Sequence, residues 1–519
     1  MGDRHAVVDI ATSQQSSAYS ADVFGHFIEH FHRQVYGGIF DPGSPLSDHR
    51  GFRQDVIEAV RDLAPSVVRW PGGCFVSDYH WLNGVGPQRR PHYDKAWRVT
   101  DPNSFGTREF VEWCRAIGAA PYICTNAGTG TAEEMSDWVE YCNLAAGAGR
   151  WSDLRQEHGD VDPLTVPYWS IGNENYGSWE IGAKTPDEWA NLVRESAKMI
   201  RRVDPSVRLL TAARADLDWT LPLLQAAGPY VDMVSIHGYW DRLAQVDAPI
   251  DYLTAMSRSL QPQDDIQRTA DIIGAAGYAG QIGIAFDEWN LRGWHHPDGT
   301  SAAAIAARDR NDDNSTYTMA DAIFSASFLN ACLRRSDVVK MANIAPTINT
   351  RGPLFVHPDG IVKRSTYHVL WMYAQLLGKR VLTSAAGSPE LTSAGVPVID
   401  QLATVDESGR RISLVLINKS PDAAVGCEVR IAGHRLDGVH AATVLDAPST
   451  DSYNDIDHPD LVVPRTDKIN FVDGRVLLAP HSVTVCQIDL PLPYPAGETD
   501  EVGLDGPWQL GLTGWSRNG

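Results

Sequence analysis

The chain has few cysteines, and it does not arrange them as disulfide or metal sites require. Seven occur in 519 residues, at positions 74, 114, 124, 142, 332, 427 and 486, an odd number with no CxxC pair. Several sit in apolar runs, as in Pro121-Tyr122-Ile123-Cys124, where a thiol packs as a small hydrophobe. This excludes a disulfide framework and suits a reducing compartment. There is no apolar run of about 18 residues, the length that spans a bilayer. Met1-Gly2-Asp3-Arg4-His5 leads into no signal-like apolar segment, so the expected location is cytoplasmic. Cations are also scarce: 44 Lys+Arg against 65 Asp+Glu leave a net charge of −21. Nucleic acid and anionic membranes need a cationic face, so neither is an expected partner. No GxGxxG or GxxxxGK[ST] follows the first strand pattern, which argues against dinucleotide and P-loop chemistry. Internal repeats and low-complexity tracts are absent.

What the chain does have is material for a large core, with 43% hydrophobic and 21% charged residues. The sixteen tryptophans belong mostly to that core, though indole faces also line sugar-binding clefts. Short apolar strand patterns recur at 22–28, 66–70, 120–125, 167–172, 207–212, 232–236, 282–287 and 338–344. Amphipathic segments separate them. Thr185-Pro186-Asp187-Glu188 offers an N-cap, a proline at the first helical position and a glutamate at the third, and Thr131…Glu134 reads as a second capping box. Val56, Ile57, Val60 and Leu63 repeat at helical spacing. Eight strands alternating with helices predict an α/β fold, a (β/α)8 barrel in preference to an open doubly wound sheet. After about residue 378 only strand patterns remain, among them Ile412–Ile417, Cys427–Ile431, Val476–Leu478 and Val483–Ile488. They predict a C-terminal all-β sandwich. The expected division is a barrel over 17–377, a sandwich over 378–493 and a Pro/Gly/Asp-rich tail over 494–519.

Barrel active sites sit at the C-terminal ends of the strands, and several strand patterns here end in polar residues. The first runs into Glu29, the second into Arg69-Trp70-Pro71-Gly72-Gly73 and the third into Asn126. The fourth runs into Asn173-Glu174-Asn175, the sixth into His237-Gly238-Tyr239-Trp240 and the seventh into Asp287-Glu288-Trp289-Asn290. Glu174 and Glu288 therefore face each other across the barrel mouth. Two such carboxyl groups can cleave a glycoside, one as a neutral acid that protonates the leaving oxygen and one ionised to attack the sugar carbon. Nearby carboxyl groups do not both ionise cheaply, so one is pushed up. Arg69 is expected to keep Glu288 ionised, which leaves Glu174 as the raised acid/base, with Asn173 as a ligand for sugar hydroxyls.

At these residues the chain resembles the family 51 glycoside hydrolases, the α-L-arabinofuranosidases. The matching segments are Phe24-Gly25-His26-Phe27-Ile28-Glu29-His30, Arg69-Trp70-Pro71-Gly72-Gly73-Cys74-Phe75, Trp169-Ser170-Ile171-Gly172-Asn173-Glu174, Asp287-Glu288-Trp289-Asn290 and Met341-Ala342-Asn343-Ile344-Ala345. A weaker match, Ser452–Pro459, lies in the sandwich. The resemblance implies a retaining exo-acting arabinofuranosidase with Glu174 as acid/base and Glu288 as nucleophile, acting on terminal arabinofuranosyl residues of oligosaccharides. It implies Glu29 and Asn173 as hydroxyl ligands, Cys74 beside the distal hydroxyls and Tyr239 as the hydrogen-bond partner of the nucleophile. It also implies no cofactor and no metal, an N-terminal strand (1–16) that joins the sandwich, and a homo-oligomer, often a hexamer. Two departures bear on the sugar. Many relatives carry Asn where this chain has Cys74, and many carry Gln where it has Pro346. With Arg351 following in the same loop, a β-xyloside, galactofuranoside or β-glucan substrate stays open.

Other residues have a plain reading beside a functional one. His26-Phe27-Ile28-Glu29-His30 fits H-x-x-E-H, but that zinc signature needs a helix, and the context here is strand and loop. Trp294, with His295 and His296, is a candidate stacking face for sugar, and Trp97 is a second. His237 orients a neighbour or touches substrate. Asn126 lines the site or caps its strand. Arg351 reaches the site or lies on the surface. Cys74 lacks a positioned base and is not expected to act as a nucleophile. A non-catalytic sugar-binding protein on a degenerate barrel is the remaining alternative, and an intact carboxylate pair speaks against it.

Overall fold

The computed structural model describes residues 5–11, 17–241, 248–293, 301, 303–304, 312–393 and 395–491. Eight parallel strands close into a barrel in chain order: Gly25–Phe27, Val67–Trp70, Ala120–Thr125, Tyr168–Ile171, Arg208–Ala212, Met233–Asp241, Gly283–Arg292 and Val339–Ile344. Each pattern read from the sequence is there, with two differences. The first begins as a 3-10 turn, Ala21–Phe24, because the Ser20 side chain accepts from Asp22 N and caps it. The sixth and seventh run on to Asp241 and Arg292, so His237, Tyr239 and Glu288 stand inside strands, not past their ends.

The helices between strands begin where local chemistry starts them. Helix Pro186–Val203 has a full capping box in which Thr185 and Glu188 bond reciprocally. At helix Ala132–Asn143 only half of the expected box forms. Thr131 accepts from Glu134 N, but Glu134 Oε1 goes to His80 Nδ1 at 2.8 Å. Val67, Tyr122, Leu210, Met233, Ala285 and Met341 pack together inside the barrel, so the lumen is filled and the site must sit above it.

The sandwich joins two antiparallel-rich sheets. The larger runs Ser17–Ala18, Arg380–Leu382, Ile399–Val405, Arg411–Asn418, Ser482–Asp489, Gly438–Leu445 and Arg465–Phe471. The smaller is built around Val425–Ile431, which pairs in parallel with His5–Ile10. Side chains alternate across a strand, and in Arg411–Asn418 both faces are covered. Ile412, Leu414 and Leu416 pack into the sandwich core, while Val415 and Ile417 join the core shared with the barrel. That two-sided burial explains the unbroken apolar run. Helix Met319–Arg334 lies at this junction and is buried from Met319 to Leu333. Among the described residues, no helix is long and apolar enough to cross a membrane.

An ion triad ties the two units. Asp400 in the larger sheet accepts from Arg334 Nη1 at 2.7 Å and lies 3.3 Å from Lys419 Nζ, and Lys419 is 1% exposed. Removing one partner of a buried pair leaves an uncompensated charge, so Asp400→Ala is expected to destabilise the protein by about 3–5 kcal/mol. Denaturant unfolding of the variant measures this; an unchanged midpoint refutes the triad's role.

Candidate active site

The site forms where strands four and seven break regularity. Gly172 and Glu174 both adopt left-handed conformations, with φ of +69° and +44°. This sharp turn lifts Glu174 above the end of strand four. A Cβ at Gly172 would lie 2.4 Å from the Trp189 ring, so the turn needs glycine there. In strand seven, Ser235 and His237 of strand six pair with Ala285 and Glu288, and Phe286 and Trp289 pair with Ala342 and Ile344. Both neighbours therefore see one extra residue between 285 and 289, a β-bulge. It brings two consecutive carboxylates, Asp287 and Glu288, to the same guanidinium.

That guanidinium is Arg69, fully buried on strand two. Arg69 Nη1 donates to Glu288 Oε1, Nη2 donates to Asn173 Oδ1 at 2.8 Å, and Nε lies 3.4 Å from Asp287 Oδ2. Glu288 Oε2 accepts from Tyr239 Oη at 2.7 Å. Asp287 is a hub: Tyr122 Oη donates to Oδ2 at 2.7 Å, and Ser235 Oγ donates to Oδ1. Burial opposes its charge, but Arg69, His237 and Ser235 outweigh burial and hold its pKa at about 2.

His237 stands between the acids. Its Nδ1 is 2.8 Å from Glu174 Oε1 and 3.6 Å from Glu288 Oε2, and its Nε2 is 3.3 Å from Asp287 Oδ1. Burial disfavours the imidazolium, yet the Glu288, Asp287 and Glu174 carboxylates raise its pKa to about 10. Glu174 responds in the opposite sense. Burial raises its pKa, but the His237 hydrogen bond and charge, with donors from Trp179 and Tyr176, bring it below the ordinary carboxyl value. The expectation that Glu174 rests as a raised, neutral acid is therefore corrected. Both shifts favour the charged pair, His237 as imidazolium beside an ionised Glu174. One atom each from Glu174, His237 and Glu288 lie within 4.8 Å of one another.

Glu29 is fully buried, and its Oε1 accepts from Phe75 N and from Trp97 Nε1, both at 2.9 Å. Its Oε2 has no partner. Burial, then the charge of Glu288, push its pKa well above the usual range, so a protonated Oε2 is available as a donor. Cβ atoms at Gly72 and Gly73 would lie 2.6 Å and 2.9 Å from the Glu29 side chain, which accounts for the Gly72-Gly73 pair. Cys74 lies in the same pocket. Burial and the neighbouring Glu180, Glu174 and Glu29 raise its pKa and keep it a thiol, which is no nucleophile.

The other candidates sort plainly. Trp97 meets Glu29, and Trp294 lies outside the described residues. Asn126 bonds Tyr79 O and its own loop, so it caps its strand. Arg351 is buried, not on the surface, and Nη1 donates to Tyr317 Oη. His26 bonds Thr347, whereas His30 bonds Asp101 and Trp70; the two histidines serve different partners, and the H-x-x-E-H motif makes no zinc site. Sequence reading missed Asp287 as the hub, together with Tyr176, Trp179 and Glu180. Trp179 is 64% exposed, yet it donates from Nε1 to Glu174 Oε2 at 2.8 Å. Glu180 Oε2 accepts from Asn173 Nδ2 at 3.2 Å. Their one signal was the aromatic and acidic crowding within six residues of Glu174.

Comparison with known proteins gives the same direction. Residues 59–258 match a family model described as the alpha-L-arabinofuranosidase 1 domain, and residues 287–482 match the alpha-L-arabinofuranosidase C-terminal domain. Alpha-L-arabinofuranosidase C of Emericella nidulans is 32% identical over 510 residues, covering 92% of this chain and 96% of the relative. The chain belongs to glycoside hydrolase family 51. Another family relative, the intracellular exo-alpha-(1->5)-L-arabinofuranosidase of Streptomyces lividans, is 34% identical over 484 residues, covering 89% of this chain and 72% of the relative. The crystal structure of alpha-L-arabinofuranosidase from Thermotoga maritima in its arabinose complex superposes with a TM-score of 0.84 at 31% identity, covering 93% of this chain and all of that one. This member of family 51 is thus a glycoside hydrolase on a barrel with a C-terminal β domain. The C-terminal family model begins at Asp287, inside strand seven, so it includes the end of the barrel as well as the sandwich.

Proposed function

We propose that the chain removes terminal α-L-arabinofuranosyl residues from arabino-oligosaccharides by retaining double displacement. The observation that carries the mechanism is the approach of Glu174 and Glu288, whose nearest paired atoms lie within 4.8 Å. Retaining enzymes hold the two carboxyl groups about 5–5.5 Å apart, and inverting ones hold them wider to admit a water. Glu288, held by Arg69 and Tyr239, attacks C1 of the sugar while the glycosidic C–O bond breaks. Glu174 gives its proton to the departing oxygen. Water, deprotonated by Glu174, then attacks C1 and releases Glu288. The sugar follows from the family and from what its named relatives hydrolyse. Glu29 Oε2, Asn173 and Cys74 are the ligands for its hydroxyls. An intracellular location follows the Streptomyces relative, and a homo-oligomer, a hexamer by resemblance, completes the reading.

Hydrolysis of 4-nitrophenyl α-L-arabinofuranoside is expected to exceed that of the β-xyloside and β-galactofuranoside by at least about 100-fold in kcat/KM, because a misplaced hydroxyl leaves buried polar groups unpaired. The first arabinose released is expected to be the α anomer by proton NMR. A β product or a preferred xyloside refutes the reading.

The proton on His237 sets a pH dependence. A group with a raised pKa keeps its proton below that value and loses it as pH rises through it, here towards about 10. To act as acid, Glu174 takes this proton along the 2.8 Å hydrogen bond, so the alkaline limb of kcat/KM reports the pair. In His237→Gln, Glu174 loses its cationic partner and keeps only the Trp179 and Tyr176 donors against burial, and the limb is expected to fall to about pH 6–7, the range of a buried catalytic carboxyl. An unmoved limb refutes the shared proton.

A further inference from the structure

A sulfur and two carboxylates that the hydrolytic mechanism does not need together converge at the edge of the pocket. Cys74 comes from the turn Cys74–Asp78 after strand two, and Glu174 and Glu180 come from the loop after strand four. One ligand atom of each lies within 4.8 Å of the others. Glu180 is 4% exposed, and its Oε1 makes no hydrogen bond of ordinary geometry although Ser77 and the Cys74 thiol lie beside the carboxyl. Three side chains from two loops, one of them a thiol and one with a buried oxygen outside any ordinary hydrogen bond, make a donor set for a borderline-soft divalent cation.

We propose that Cys74, Glu174 and Glu180 form an inhibitory Zn2+ site at the mouth of the catalytic pocket. Zn2+ takes thiolate sulfur at about 2.3 Å and carboxylate oxygen at about 2.0–2.2 Å in a tetrahedron, which spaces neighbouring ligand atoms about 3.3–3.8 Å apart. Small side-chain rotations close the present group to that spacing, and water completes the fourth position. Cys74 exchanges its S–H for an S–Zn bond, and the proton leaves to solvent. Mg2+ and Ca2+ prefer six or more oxygen ligands and do not use sulfur, so the thiol selects against them. The neighbouring group of Glu174, His237 and Glu288 is equally close, but the imidazolium already supplies a positive charge there. A metal on Glu174 removes the carboxyl assigned as acid/base, so the inhibition rests on that reading; the metal site itself does not.

Chelator-treated enzyme, assayed on 4-nitrophenyl α-L-arabinofuranoside, is expected to lose activity with micromolar Zn2+ and regain it with EDTA, whereas Mg2+ has no effect. Cys74→Ser is expected to need at least about tenfold more Zn2+ for half-inhibition. Co2+ reads the site without turnover. A thiolate-to-cobalt charge-transfer band is expected in the wild type and in Cys427→Ala, and is expected to vanish in Cys74→Ser. A missing band, or one that survives Cys74→Ser, overturns the site. A Cys74-dependent band with full activity overturns the inhibitory role and puts the failure on the assignment of Glu174.

Discussion

Glu288→Ala is expected to lower kcat by about 10^4–10^6, the loss seen when a covalent nucleophile is removed and binding is left intact. The side chain lies 5% exposed between Arg69 and Tyr239, and no other carboxylate can take its position. Asp287, one residue away, is committed to Arg69, Tyr122 and Ser235. Azide tests the geometry as well as the loss. Small enough to enter the vacated space, it is expected to attack an activated aryl arabinofuranoside from the nucleophile's face and give the β-arabinofuranosyl azide. Circular dichroism guards against misfolding. A variant that is folded yet retains wild-type activity refutes the assignment, and an α-azide puts the nucleophile elsewhere.

Glu174→Ala is expected to divide substrates by leaving group. Oligosaccharides, whose departing alkoxide needs a proton, are expected to lose about 10^2–10^4 in kcat/KM, the usual contribution of a general acid. A 2,4-dinitrophenyl glycoside needs no proton, and its first step is expected to stay near the wild-type rate, with the glycosyl-enzyme accumulating because nothing activates water. Azide then restores turnover with retention, giving the α-azide. Glu174 is the more open of the two acids, 14% against 5%, as befits the group nearer the departing portion. Equal losses on both substrates refute the acid role.

Much of this was legible in the sequence because barrel strands are short apolar runs that end in polar residues, and that boundary marks the mouth. Glu174, Glu288, Arg69 and Asn173 could be found by that rule alone. The protonation pattern could not. It depends on His237, which arrives from strand six and carries the proton that an isolated pair of acids would have shared. Glu180 was hidden, and Trp97 was read as a sugar-stacking face and not as the donor to Glu29, for another reason: each reaches the pocket from a loop, where no periodicity fixes direction. The sandwich strand Arg411–Asn418 gave the right element but no hint that its two faces serve different cores, since an apolar run looks the same buried on one side or both. At Thr131 the local rule found the cap and missed that Glu134 had a stronger partner in His80.

The extra residue in strand seven sets what the protein can tolerate as it diverges. Because side chains alternate in a regular strand, deleting the one extra residue between 285 and 289 would leave a single inward carboxylate where Asp287 and Glu288 now both reach Arg69. Side chains around the pocket are free to be exchanged and loops free to lengthen, but the length of this strand is not free to drift. A gap here in a related chain marks a site that has lost either the nucleophile or the hub beside it.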